Sequence, residues 1–129
     1  MRFHHVAMAV NNIEEAYTAL RAEESATPLT DTTFDPEQGA HLRLVDVGGL
    51  PTELVQDAAE GPVSAWLKRG CKLYHICYEV DDLDQSLEEA RLRGCAVVSP
   101  PKPAVLFDGR RVAFVMDRVR GLVEFLEKG

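Results

Sequence analysis

Apolar and polar residues alternate along the first half of the chain in the pattern of a strand, a helix and three more strands. Positions 3–10 alternate with a period of two, which is typical of a half-buried strand. Asn12, followed by Glu15, predicts a helix N-cap, because the asparagine side chain can accept a backbone N–H of the first turn. The predicted elements are a strand over 3–10, a helix from Asn12 to about Ala22, a weak polar strand over 28–35, strands over 40–47 and 52–56 flanking a hairpin turn at 48–51, and a short helix or turn over 62–68.

The second half repeats this order from residue 72 onwards. Asp82 with Gln85 is again a capping pair, and Gly94 marks the end of the helix. The proline-rich stretch 99–103 predicts a rigid loop. The predicted elements are a strand over 72–80, a helix to about Arg93, a short strand over 95–98, segments 105–107 and 111–116 paired across Asp108-Gly109, and a last strand over 122–126. Each half therefore has the order β-α-β-β-β.

Length and composition are those of one small globular domain: 129 residues, of which 46% are hydrophobic and 27% charged. We expect an α+β domain over 1–129, with module 1 at about 1–60 and module 2 at about 71–129. Three cysteines without a close-spaced pair favour reduced thiols in a cytoplasmic protein over a disulfide framework. A net charge of -7, and the lack of a long apolar run, exclude nucleic acid and membrane as favoured partners. A homodimer is the expected assembly.

A repeat with an offset of 70 residues places one histidine near the start of each half. The segments 3–13 and 73–83 align so that His5 falls on His75. The same alignment sets His4 against a tyrosine, so we predict that His4 is a packed or partly exposed residue rather than a ligand. His41, on a later strand, is interpreted as a surface histidine.

Each half also carries a matching glutamate near its end, Glu53 in the first and Glu124 in the second. A carboxylate in the middle of a largely apolar strand is costly to bury unless it is paired or bound to a cation. The alternative is that both glutamates point to solvent. Their matching places behind matching histidines favour the metal interpretation. Two halves folded face to face would bring two imidazoles and two carboxylates together, a set that suits Ni²⁺, Co²⁺, Zn²⁺, Mn²⁺ or Fe²⁺.

The segment 101–120 is basic within an acidic chain. It carries five Lys and Arg residues against two Asp residues, a local charge of +3 (5 − 2). One interpretation is a docking patch for an anionic small molecule, such as a carboxylate or a phosphate-bearing carrier, with Arg110 and Arg111 as the substrate-binding candidates. The other is a solvated rim of surface ion pairs, and the sequence leaves both open.

These motifs resemble the vicinal oxygen chelate superfamily, which includes glyoxalase I, methylmalonyl-CoA epimerase, bleomycin-resistance proteins and extradiol dioxygenases. The resemblance covers nearly the whole chain and is most specific at residues 5–10, 36–40, 74–82 and 121–126. Within the superfamily, the Pro-Glu-Gln-Gly stretch and the His-Ile-Cys-x-Glu-Val-Asp stretch look most like methylmalonyl-CoA epimerases and the glyoxalase-like proteins close to them.

The resemblance implies two β-α-β-β-β modules that pair into a curved mixed sheet around a metal cleft. It implies one divalent ion, with Glu124 as the leading catalytic base and Glu53 as a second catalytic candidate. The implied ligands are His5, Glu53, His75 and Glu124. The implied activity is that of an isomerase or epimerase that takes a proton next to a thioester or ketone carbonyl, on a substrate such as an acyl thioester. The alternatives are a glyoxalase I-type lactoylglutathione lyase, which has the same ligand set, and a metal-free drug-binding protein on the same fold.

Two positions depart from the epimerase pattern. Many bacterial epimerases have a second glutamate base three residues after the glycine that matches Gly39, where this chain has Leu42. They also tend to have Phe-Leu-His-Pro before the last strand, where this chain has Phe114-Val115-Met116-Asp117. Both departures bear on the choice of substrate rather than on the metal ligands.

Overall fold

The computed structural model describes residues 1–23 and 25–129. Its elements are β1 (Arg2–Ala9), α1 (Ile13–Glu23), β2 (Ala26–Pro28), β3 (Thr33–Asp35), β4 (Ala40–Val47), β5 (Leu50–Asp57), α2 (Pro62–Lys68), β6 (Leu73–Val80), α3 (Leu83–Leu92), β7 (Ala96–Pro103), a 3-10 helix (Val105–Phe107), β8 (Arg111–Asp117) and β9 (Gly121–Glu127). The predicted α+β class is confirmed. No helix among the described residues is long and apolar enough to cross a bilayer.

The described chain divides into two compact units, an N-terminal unit (His5–Tyr74) and a C-terminal unit (Met1–His4 with His75–Gly129). In the N-terminal unit β1 pairs in parallel with β5, and β5 pairs antiparallel with β4, which also pairs with β2 and β3. In the C-terminal unit β6 pairs in parallel with β9, and β8 pairs antiparallel with both β9 and β7. The C-terminal unit therefore has the predicted order β-α-β-β-β.

The strands of the N-terminal unit have one face covered by α1. Ile13 and Tyr17 of the helix pack with Val45 of β4 and Leu54 of β5 in one buried cluster. Because side chains alternate across a strand, Glu53 lies on the opposite face. Its neighbours in register there are Ala7 on β1 and Leu44 on β4.

The C-terminal unit has the same two-faced arrangement. Leu83 and Leu87 of α3 pack with Val115 of β8 and with Val123 and Phe125 of β9. The even-numbered residues of β8 and β9 therefore point to the other face.

Both predicted N-caps are confirmed. The backbone N–H of Glu15 donates to the Asn12 side chain at 2.9 Å, and that of Gln85 donates to Asp82 at 3.0 Å. These bonds satisfy N–H groups that the first helical turn leaves without a helical partner.

Three predicted boundaries are wrong. The strand predicted over 28–35 is two short strands, because the N–H groups of Leu29 and Thr30 both donate to the Leu44 carbonyl and the chain turns there. The loop predicted over 99–103 is the second half of β7. Its prolines are tolerated because, among the residues that the structure describes, β7 pairs on one side only, and its register with β8 shifts twice between Val97 and Lys102.

The third correction concerns 105–107, predicted to pair with 111–116 across Asp108-Gly109. That segment is a 3-10 helix, and its Phe107 is buried. β8 cannot take it as a strand partner, because β7 and β9 already pair with both edges of β8. The turn itself exists: Asp108 and Gly109 have φ values of 56° and 79°.

Candidate metal-binding residues

One buried imidazole–carboxylate pair lies in the N-terminal unit. His5 on β1 and Glu53 on β5 bring Nε2 and Oε2 to 3.8 Å, with 0% and 2% of the side chains exposed. The parallel register that joins Ala7 to Glu53 sets this approach, since His5 is two residues before Ala7 and shares its face. A glutamate at this depth needs a cationic or hydrogen-bonding partner to offset its loss of water.

A second pair lies in the C-terminal unit. His75 on β6 and Glu124 on β9 bring Nε2 and Oε1 to 3.2 Å, and 1% of each side chain is exposed. The imidazole packs edge-on against Phe114 of β8, with ring centroids 5.1 Å apart at 81°. Phe114 is also the register partner of Glu124, so this aromatic residue lies on the same face as the pair.

The burial of both glutamates contradicts the alternative in which they point to solvent. The donors of each pair, one imidazole nitrogen and one carboxylate oxygen, are those that borderline divalent ions accept. The same contacts would also form a buried ion pair if the imidazole carried a second proton. The donor set fits a divalent ion, because such an ion balances the carboxylate charge without requiring that proton.

The remaining two histidines, which were not predicted as ligands, both pack against aromatic rings. His4 is half-buried, and its ring meets Phe107 edge-on at 5.2 Å. His41 is half-buried on β4, with its ring 5.2 Å from that of Phe34. Both contacts are ordinary aromatic packing.

The two predicted substrate-binding arginines lie in ion pairs. Arg110 contacts Glu79 through its guanidinium, and its Nε donates to the Glu127 carbonyl at 2.8 Å. Arg111 contacts Glu127 at 3.2 Å and Asp84 at 3.3 Å. These contacts are those of the ion-pair rim, and a docking role for either arginine stays a prediction.

Two carboxylates that contact arginines in this unit have lowered pKa values. Hydrogen bonds from Arg2 and from Arg110 hold the pKa of Glu79 below its usual value. Further along the basic segment, the backbone N–H of Val119 and the guanidinium of Arg120 hold the pKa of Asp117 well below its usual range. Three of the five basic residues of 101–120 (Arg110, Arg111 and Arg120) are thus matched by carboxylates of the same unit.

Sequence reasoning missed two residues on these faces. Phe114 was named only as a departure from the epimerase pattern and not predicted to contact a site residue, although β8 places it in register with Glu124. Asp35 is fully buried and accepts the backbone N–H of Glu37 at 2.9 Å, which holds the turn after β3. An aspartate before a proline is a known turn signal, so this role could have been predicted.

Leu42 occupies the place where many epimerases have a second glutamate. It is fully buried, and it shares the Glu53 face of β4 and β5, with Val55 as its register partner. This face of the N-terminal unit is therefore apolar at that position.

Comparison with known proteins gives the family. Residues 4–114 match the model of the Glyoxalase/Bleomycin resistance protein/Dioxygenase superfamily. The chain belongs to this superfamily. A curated member, the ethylmalonyl-CoA/methylmalonyl-CoA epimerase of Cereibacter sphaeroides, is 27% identical over 117 residues, which cover 88% of this chain and 87% of that protein.

Solved structures of other proteins show the same fold. A hypothetical protein from Bacillus halodurans C-125 superposes with a TM-score of 0.84 at 25% identity, covering 99% of this chain and 94% of that one. A variant of the Streptomyces coelicolor methylmalonyl-CoA epimerase, in complex with 2-nitronate-propionyl-CoA, gives 0.82 at 22% identity over 100% and 95%. The epimerase from Mycobacterium tuberculosis gives 0.82 at 20% over 99% and 88%. The predicted glyoxalase-like fold is confirmed, while the homodimer and the cytoplasmic location stay predictions.

Proposed function

We propose that this chain is a divalent-metal-dependent isomerase or epimerase that moves a proton next to a thioester or ketone carbonyl. In this proposal His5, Glu53, His75 and Glu124 bind one metal ion. The observation that carries it is that each unit buries one imidazole–carboxylate pair, with the two histidines 70 residues apart (75 − 5) and the two glutamates 71 (124 − 53). Burying two carboxylates and two imidazoles is costly unless the protein uses them.

The ion, when bound, would polarise a substrate carbonyl and make the neighbouring C–H more acidic. Glu124 then takes that proton and returns it, as a general base and acid. The Phe114 ring restricts the rotation of His75 and so keeps the pair in register. Glu53, equally buried, is the second catalytic candidate.

The comparisons support the class of reaction and of substrate. The Cereibacter sphaeroides relative is an epimerase of two acyl-CoA compounds by its name. Two solved epimerase structures of the same fold contain a bound acyl-CoA compound: 2-nitronate-propionyl-CoA in one and methylmalonyl-CoA in the other. An acyl thioester is therefore the first substrate class to test.

A lactoylglutathione lyase of the glyoxalase I type is the second candidate, and Leu42 is the observation that favours it. To invert a stereocentre, an epimerase delivers a proton to the face opposite the one it deprotonates, which two bases do most simply. A lyase that shifts a proton between neighbouring atoms needs one base. The buried leucine supplies no carboxylate beyond the two proposed metal ligands, Glu53 and Glu124.

A metal-free drug-binding protein is the candidate of another class, and metal analysis separates it from both enzymes. The wild type, purified without a histidine tag, is expected to hold one divalent ion per chain by mass spectrometry of its metals. The double change His5→Ala with His75→Ala should abolish it, while His41→Ala, at a half-buried histidine outside both pairs, should retain it. Equal metal content in all three proteins would refute the ligand assignment.

Activity assays then separate the two enzymes. Turnover of methylmalonyl-CoA by the metal-loaded protein supports the epimerase, and turnover of the methylglyoxal–glutathione adduct supports the lyase. Tight metal binding with no turnover of either compound would remove both named substrates and leave the proton-transfer proposal to the exchange experiment in the Discussion.

A further inference from the structure

The even-numbered face of β8 and β9 in the C-terminal unit is packed against the 3-10 helix at one end. Val112 and Leu126, which are register partners, are buried there with Phe107 of the 3-10 helix and with Cys77 of β6. The 3-10 helix is three residues long and does not extend along the whole of the two strands.

The pair His75–Glu124 lies next to this packed end of the face. The next register pair along the same face is Phe114 with Glu124, and the one after it is Met116 with Leu122. Met116 is 41% exposed, and Phe114 and Leu122 are half-buried. We call these three residues the apolar strip (Phe114, Met116 and Leu122).

We propose that the apolar strip holds a hydrocarbon substituent of the substrate, next to the carbonyl group that the metal site acts on. The inference rests on the proposed function, because it takes His75 and Glu124 as part of that site. The strip extends about 7 Å beyond Phe114 along β8, since two residues of a strand rise about 3.3 Å each. The substrate class is therefore carbonyl compounds with a short aliphatic group.

Continuity with the candidate site is the reason for choosing the substrate as the occupant. Phe114 touches the His75 ring and is paired in register with Glu124, so a group lying on the strip lies beside the reacting end of the molecule. An exposed apolar surface that begins at a buried polar pair is typical of ligand sites.

Charge also argues for an apolar group at this end. Arg111 lies at the opposite end of β8, about 17 Å from Met116 by the rise of five residues, and Arg110 directly precedes it; both are paired with carboxylates. Two cations lie two residues from the strip in sequence. Arg118, which is exposed, follows Met116, and Arg120 precedes Leu122. Arg120 is held by Asp117 and stacks on Tyr78, a residue of the other face. A carboxylate placed on Met116 would have to compete with carboxylates of the same unit for three of these four arginines.

Alkyl hydroxamates test the inference, because their two oxygens chelate a metal while the alkyl chain is varied. The full-length, metal-loaded chain is titrated calorimetrically with acetohydroxamate, butanohydroxamate and hexanohydroxamate. We expect the dissociation constant to fall about fourfold for each added CH₂ that the strip buries, from about 0.8 kcal/mol per CH₂. Met116→Gln and Leu122→Gln should remove most of this gain and leave acetohydroxamate binding unchanged. Leu92→Gln, at a 79% exposed leucine on α3, is the matched control and should behave as wild type.

A second measurement does not depend on affinity. With ¹³C-labelled methionine methyl groups, hexanohydroxamate should shift the resonance of Met116, while that of Met1, which is 65% exposed, stays in place. Acetohydroxamate should shift neither.

The failures are distinguishable. If acetohydroxamate binds and longer chains bind no more tightly, the strip holds no hydrocarbon and the inference is overturned, while the proposed function stands. If Met116→Gln converts a wild-type dimer into a monomer in sedimentation experiments, the strip is an interface between copies, and the inference is again overturned. If the wild type holds no metal, the proposed function fails first and the inference fails with it.

Discussion

Glu124 Oε1 lies 3.2 Å from His75 Nε2, and only 1% of either side chain is exposed to solvent. The two residues are separated by 49 positions (124 − 75) and meet because β6 and β9 are parallel neighbours, with Cys77 in register with Glu124. Their contact makes Glu124 the residue whose replacement is most informative about the chemistry.

Glu124→Gln keeps the size of the side chain and one oxygen donor but removes the base. The rate of exchange of the substrate's acidic C–H with solvent should fall roughly 10²–10⁴-fold, the usual contribution of general base catalysis. The measurement is NMR of a candidate acyl thioester in D₂O. Glu88→Gln, at an exposed position of α3, is the control and should exchange like wild type. Failure of the metal-loaded wild type to incorporate deuterium from D₂O into any tested substrate would refute the isomerase.

Arg110→Ala separates the two interpretations of the basic segment. Because Arg110 bonds both Glu79 and the Glu127 carbonyl, its loss should lower the midpoint of thermal unfolding, most clearly at low salt. If the arginine also docks an anionic substrate, KM should rise and its salt dependence should weaken, with metal content unchanged. A lower midpoint with an unchanged KM would leave Arg110 as an ion-pair residue only.

Asp117 predicts a pH dependence of stability. Its pKa lies well below the usual range because the backbone N–H of Val119 and the side chain of Arg120 both bond the ionised form. A carboxyl with a lowered folded-state pKa stabilises the fold above its unfolded pKa, about 3.9, and loses this contribution as the pH falls below it. The difference in unfolding free energy between wild type and Asp117→Asn should therefore shrink from pH 6 to pH 3. Asp31→Asn, an exposed aspartate, is the control in denaturant titrations.

The cap of α3 predicts a measurable loss of stability. Asp82→Ala removes the acceptor of the Gln85 N–H and should cost about 1 kcal/mol of unfolding free energy. Asp82→Asn keeps an oxygen in the same place and should cost a small part of that. Chemical denaturation of the two variants and the wild type checks the difference, and equal losses in both variants would contradict the cap as the cause.

The repeat located both imidazole–carboxylate pairs because strand periodicity is a local property. Once His5 and Glu53 are assigned to strands, their face follows from counting residues in twos, and the 70-residue offset transfers the result to His75. The caps, and the bounds of the strands outside 28–35 and 95–107, followed from equally local signals.

The failures in 99–107 have a nonlocal cause. Whether the proline-rich segment forms a strand depends on whether an edge of β8 is available to it, and no nearby residue encodes that. Once β7 takes one edge and β9 the other, the segment 105–107 has no strand to pair with and folds as a 3-10 helix over the sheet face. Pairing of this kind is decided by the whole unit.

Arg2 illustrates what the division into units means for the order of folding. It bonds Glu79 and Asp81, which follow it by 77 and 79 residues, and residues 1–4 belong to the C-terminal unit. At about 5–20 residues per second, a ribosome needs roughly 4–15 s to make the chain between Arg2 and these partners. During that time residues 2–4, with Phe3 among them, have been synthesised but their partners in the C-terminal unit have not. A chaperone that covers this segment in the interval should raise the yield of folded protein.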